Sequence, residues 1–194
     1  MSAIPHTATP RRDTGLYNAK VGTWLFLAAE AMFFGALVSS YVFLRSASAE
    51  WPAARDVLPV GYAVANGIVL ILLATASVKA RRAARAGKGP KWLWICVVLA
   101  VCSVTLVALE HRIVGATGAR ASTSTFYGMY YLLSGIVRIH VGGGAVVTAW
   151  IAGPCRQFAD IKPIRYANWV ECLGYYWLFV FATSLATFVL VYVV

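Results

Sequence analysis

The sequence predicts an all-α membrane protein, a polytopic bundle of five transmembrane helices with the N-terminus in the cytoplasm and the C-terminus outside. Three observations carry this. Of the 194 residues, 60% are hydrophobic and only 12% charged, and the mean hydropathy is +0.72, whereas a water-soluble globule carries about 25% charged residues. The apolar residues fall in five long runs, each near or above the ~20 residues that cross a ~30 Å hydrocarbon core. The cationic residues gather between those runs, mostly on one side of the expected bundle.

A polar segment, 1–20, comes first and contains no apolar stretch of the kind a cleavable signal peptide has. The transmembrane domain, 21–194, follows. Span one covers about 21–44, between Lys20 and Arg45. Span two, about 62–78, is the shortest, with Pro59 and Gly61 before it and Lys79 after it. Span three, about 92–109, is entered through Gly89-Pro90-Lys91 and closed by Glu110-His111-Arg112. Span four, about 126–151, stops at Gly153-Pro154, and span five runs from about 166 to 194. The runs lack the alternation of barrel strands and are about twice as long. Trp51, Tyr62, Trp92, Trp94, Phe126, Tyr127, Tyr166 and Trp169 lie near span ends, where amphipathic rings sit at the membrane interface.

Orientation follows from the loops. Arg11, Arg12 and Lys20 precede span one, Lys79, Arg81, Arg82, Arg85, Lys88 and Lys91 lie between spans two and three, and Arg156, Lys162 and Arg165 lie between spans four and five. These regions share a side and total twelve, against four (Arg45, Arg55, Arg112, Arg120) on the other. Cytoplasmic loops carry the Lys/Arg excess, so the N-terminus is expected in the cytoplasm and Val194 outside.

The same features exclude other classes. The net charge of +10 resembles a nucleic-acid binder's, but it lies in loops and not along one polar face, so no nucleic-acid partner is expected. Cys96, Cys102, Cys155 and Cys172 make no disulfide or zinc pattern, and buried or partly buried thiols are expected. His6, His111 and His140 are scattered, so no metal or haem is expected on this chain alone.

The informative residues are the polar ones inside the spans, because a charge there is costly and faces protein or a wet cavity. Glu30 lies nine residues into span one, at roughly 14 Å depth by helical rise. It is either a proton-handling or lipid-contacting carboxyl, or a neutral or paired one that locks helix packing. Arg138 and His140 lie in span four. The guanidinium cannot lose its proton, so Arg138 needs a partner or a phosphate; Glu30 is one such partner and a neighbouring subunit another. His140 reads first as a hydrogen-bonded packing residue. Glu171, opening span five, reads as a partner of Arg165 or as a charge at a helix N-terminus. Gly142-Gly143-Gly144 permits close helix approach.

These segments resemble a known family. GTWLFLAAEAMFFGALVSSYVFLR resembles the helix of haem-copper oxidase subunit III that carries an intramembrane Glu, in the pattern W-L-F-L-x-x-E-x-x-F-F, and Glu30 falls on that Glu. LVALEHRI resembles the end of a later helix with Gln-x-x-Glu-aromatic; Glu110 matches, with Val107 and His111 in the other places. STFYGMYYLLSGIVRIHVGGG resembles S-x-F-(F/Y) followed by T-G-x-H-G-x-H-V, with Ser134, Gly135, His140 and Val141 corresponding, Val137 replacing the first His and Arg138 a Gly. VECLGYYWLFVFATS resembles E-x-x-x-x-Y-W-H-F-V-D-x-x-W, with Glu171, Tyr176, Trp177, Phe179 and Val180 matching. Leu178, Phe181 and Ser184 replace its His, Asp and Trp, which removes polar groups.

The resemblance is to the five-helix bacterial form of cytochrome c oxidase subunit 3. It implies a multi-pass chain of the inner (plasma) membrane without a catalytic residue or redox centre of its own. Such a subunit packs with subunit I and subunit II of a respiratory terminal oxidase, and haem and copper belong to those partners. It implies a bound phospholipid in a cleft between helix groups, and support of oxygen access and sustained proton uptake during oxygen reduction. Glu30, Arg138, His140, Glu171 and Glu110 are the expected proton- or lipid-associated or structural polar residues. The electron donor, cytochrome c or quinol, stays open. An accessory subunit of a nitric oxide reductase is the alternative within the same pattern. A stand-alone transporter is the alternative outside it, disfavoured because no pair of Gly/Pro-broken helices occurs in matching halves.

Overall fold

The computed structural model describes residues 10–11 and 15–193. Most of segment 1–20, with His6 and Arg12, lies outside the described residues, as does Val194. In chain order the helices are α1 Asn18–Ala47, α2 Ala54–Val57, α3 Val60–Arg85, α4 Lys91–Ala116, α5 Thr125–Ala152, a 3-10 turn Pro154–Gln157, α6 Phe158–Ile161 and α7 Pro163–Phe188, the last continuing through a wide π-turn at Val189–Val193. Five of them (α1, α3, α4, α5 and α7) are long and apolar enough to cross a membrane, and no strand occurs among the described residues.

Local chemistry places the ends. Ser124 caps α5 by accepting the Tyr127 N–H, and Pro163 opens α7 with its φ already helical. Gly87, at φ +66°, ends α3 while the Lys88 N–H returns to the Ala83 carbonyl at 2.9 Å, a left-handed cap that glycine adopts without a Cβ penalty. Several helices outrun the predicted spans: α3 continues past residue 78 to Arg85, and α4 past 109 to Ala116. Hydropathy marks only the stretch that lipid would cover, whereas in α3 the Ala, Lys and Arg of 79–85 are good helix formers and carry the coil on past it.

The packing is a ring with a flank. Helix α3 lies against α4, α4 against α5, α5 against α7, and α7 back against α3, while α1 lies outside the ring against α7 and α5. The interior is filled by Leu70, Leu73, Leu93, Cys96, Val141, Val170, Trp177 and Val180. A second cluster, with Tyr41, Leu58, Val114, Phe126 and Tyr130, closes the end where α1 meets the α4–α5 loop. The buried residues of α1 are Leu27, Phe34 and Tyr41, one heptad apart, so α1 docks by a narrow seam and not a broad face. Glu30 stands on that seam. Of the thiols, Cys96 is buried, Cys155 and Cys172 are partly buried, and Cys102 is exposed. The expectation of covered thiols fails at Cys102 because it lies on the outer face of α4, where an apolar run continues whether it faces protein or lipid.

Candidate functional site

Glu30 and His140 meet. The seam of α1 aims the Glu30 carboxylate at α5, and its Oε2 lies 3.1 Å from His140 Nε2. The other ring nitrogen, Nδ1, is 2.9 Å from the Ile136 carbonyl, which only accepts, so Nδ1 carries a hydrogen. One further proton must therefore sit between Nε2 and Oε2, either on the carboxyl or on the ring, and both arrangements leave the pair neutral. The Tyr176 hydroxyl donates to the His140 carbonyl at 2.7 Å, and Phe34 packs edge-on to the ring.

Arg138 does not pair with Glu30. Two residues apart on a helix are about 200° apart around it, so His140 faces α1 while Arg138 faces α4. There its Nη1 lies 3.4 Å from His111 Nδ1. The Ser134 hydroxyl donates to the Tyr130 carbonyl at 2.5 Å, so His111 Nε2 donates to Ser134 Oγ at 2.7 Å and Nδ1 is left as the acceptor for the guanidinium.

Glu171 also departs from the expected partner. Its carboxylate is buried and accepts from Lys20 Nζ at 3.1 Å, Arg85 Nη2 at 2.6 Å and the Tyr175 hydroxyl at 2.9 Å. It joins the start of α1, the end of α3 and α7. Arg165, six residues earlier on α7, points elsewhere and lies over the Trp169 ring at 4.9 Å. Beside the clamp, Tyr17 donates to the Asn168 carbonyl at 3.3 Å; burial, with Cys172 and Glu171 beside it, raises its phenol above the ordinary range. Glu110, buried on α4, accepts from the Tyr192 hydroxyl in the terminal π-turn. It borders a cavity of about 290 Å³ that Asn66, Ser134 and Thr187 also line.

Of the three consecutive glycines Gly142-Gly143-Gly144 on α5, only Gly144 makes a close approach. A Cβ there would lie 2.6 Å from Tyr176 Cε1 and 2.8 Å from Trp177 Cη2, whereas Gly142 and Gly143 have open space. The Trp177 indole donates to Thr148 Oγ1 at 3.1 Å, locking the same contact. On the flank, Gly22, Phe26, Gly143, Gly144, Trp169 and Tyr176 line a groove of about 630 Å³ between α1, α5 and α7.

Sequence reasoning named Glu30, His140, Arg138, Glu171 and Glu110 but not their partners Lys20, Arg85, Tyr175, His111 and Tyr192. A signal existed for two of them: Lys20 and Arg85 belong to the basic ends that the loop count puts on the side where Glu171 enters the membrane. Chemically, these groups can hold and share protons and bind anions. No three of His, Cys, Asp and Glu converge among the described residues.

No family model matches the chain. It is similar to "Cytochrome bo(3) ubiquinol oxidase subunit 3" of Pseudomonas aeruginosa, at 23% identity over 97% of this chain and 90% of that one. It is similar to "Probable cytochrome c oxidase subunit 3" of Mycobacterium tuberculosis, at 28% identity over 89% and 86%. It is similar to "Cytochrome c oxidase subunit 3" of Corynebacterium diphtheriae, at 24% over 95% and 94%. These similarities run nearly end to end through a bundle of five membrane-length helices, so what the chain is similar to, over most of its length, is the third subunit of cytochrome c and ubiquinol oxidases.

Proposed function

We propose that this chain is the non-catalytic subunit III of a respiratory terminal oxidase of the plasma membrane, seated against subunits I and II, whose haem and copper reduce oxygen to water. The observation that carries the reading is end-to-end similarity to oxidase third subunits. The relatives are named for both ubiquinol and cytochrome c oxidases, so either electron donor fits this reading. The twelve-to-four Lys/Arg bias supports a cytoplasmic N-terminus.

In this role the chain supports turnover. The groove beside α1, with its apolar lining and glycine floor, suits phospholipid acyl chains. The Glu30–His140 pair, one proton shared across a helix interface, suits a group that relays or buffers protons toward the large subunit. The experiment is to tag the chain, isolate it in mild detergent and record a visible spectrum. Haem bands in stoichiometric amount with two larger subunits are expected. A purified chain that carries no haem partner and moves a solute across vesicles by itself would overturn the reading.

A further inference from the structure

We propose that the pocket between α4, the α4–α5 loop and α5 binds the phosphodiester of an anionic phospholipid, held by the Arg138 and Arg120 guanidiniums. The site is built from this chain's own residues and does not depend on the oxidase reading. It concerns a place on the opposite side of α5 from the groove beside α1.

A guanidinium keeps its charge in any protein environment, and Arg138 is half-buried within a membrane-spanning helix. Among the described residues no carboxylate lies within ion-pair distance of it: the ion pairs present join Glu171 to Lys20 and Arg85, Glu30 to His140, Asp56 to Arg55 and Asp160 to Arg156. The acids within the neighbouring spans α1 and α4 have other partners. Glu30 bonds His140 on the far face of α5, and Glu110 bonds Tyr192. Among the described residues the one polar contact of Arg138 is the long one to the His111 ring, which leaves most of its five donors without a partner there. An isolated cation at this depth is costly, so its counter-charge comes from outside the chain.

The pocket says which counter-charge. It encloses about 490 Å³ and contains both Arg138 and Arg120, with Gly115, Ala119 and Ala121 as small walls and no acidic residue. Arg138 lies thirteen residues into α5, about 20 Å along the axis, and α5 side chains lean toward its N-terminus, the loop end. Arg120 is exposed in that loop, beyond the end of the membrane-length helix α4. The two cations therefore mark a path that starts in the headgroup layer and descends. Phosphate oxygens match the guanidinium fork, and two arginines favour a headgroup with net negative charge. A carboxylate on a partner helix would answer Arg138 and leave Arg120 without a role.

The test uses the full-length chain in detergent, with native mass spectrometry against phosphatidylglycerol and phosphatidylcholine of the same acyl chains. The wild type is expected to retain one phosphatidylglycerol, about 10-fold more tightly than phosphatidylcholine, and Arg138→Gln to lose about 10-fold. Arg120→Gln is expected to lose about 3-fold, and Arg138→Lys to keep part of the affinity, since charge survives without the fork. Lys88→Gln, at the opposite end of the bundle, is the control and is expected to change nothing. Equal retention of the two lipids by the wild type, or equal loss in Lys88→Gln and Arg138→Gln, would overturn the proposal. So would Arg138→Gln retaining the lipid in the isolated chain while the tagged complex carrying Arg138→Gln loses its partner subunits, which would assign the counter-charge to a partner carboxylate. If Arg138→Gln does not fold, Arg120→Gln and Arg138→Lys give the decision, and unchanged affinity in both overturns the site. The haem spectrum of the tagged complex is a separate readout, so failure here and failure of the oxidase reading are distinguishable.

Discussion

Replacing Glu171 by glutamine or leucine removes the one carboxylate that joins α1, α3 and α7, and the geometry sets the cost. A carboxylate stripped from two buried cations would leave them stranded at about 3–5 kcal/mol. These cations are not buried: the Lys20 side chain is 21% exposed and Arg85 61%, while Glu171 itself is 4% exposed. Both can swing to water, so the loss reduces to the bonds themselves. The Arg85 bond is the shorter, but screening at its exposed end limits it to under about 1 kcal/mol. Lys20 and Tyr175, better covered, contribute about 1–2 kcal/mol together. Glu171→Leu is therefore expected to lose about 1–3 kcal/mol and Glu171→Gln about 1 kcal/mol less, since the amide still accepts one hydrogen bond. Unfolding in one detergent measures both, with double-mutant cycles against Lys20→Met and Arg85→Met. The Lys20 cycle should show the larger coupling, about 1 kcal/mol. A Glu171→Leu variant as stable as the wild type, or a larger coupling to Arg85 than to Lys20, would refute the reasoning.

Three further outcomes follow from the same structure. Glu30→Gln should assemble and turn over, because the amide N–H still reaches His140 Nε2. Glu30→Leu should lose about 1–3 kcal/mol for an unpartnered ring nitrogen, read as the yield of assembled complex and activity over many turnovers; loss of the first turnover in Glu30→Gln would sink the supporting role. Gly144→Ala should cost about 1–3 kcal/mol by forcing α5 from Tyr176 and Trp177, and Gly142→Ala less than about 0.5, compared by thermal unfolding. In a cysteine-free background, Lys88→Cys should react with an impermeant thiol reagent only from the cytoplasmic face, and labelling from outside alone would reverse the orientation.

Much of this protein was legible in its sequence, and for a definite reason. In a membrane the solvent imposes length and polarity on each span separately, so five runs, their order and the Lys/Arg bias could be read locally. The rare polar groups Glu30, Arg138, His140, Glu171 and Glu110 stood out for the same reason, each being costly where it is. What they touch could not be read this way. Pairing depends on how helices rotate and which neighbours they meet, and a lipid-facing and a protein-facing apolar residue look alike in a hydropathy profile. Hence Arg138 and His140, neighbours in the chain, face opposite helices, and Glu171 takes Lys20 and Arg85 in place of Arg165. The same limit hid which of three consecutive glycines carries the contact: Gly144 alone meets α7, a fact of rotation and close packing that only the tertiary structure decided.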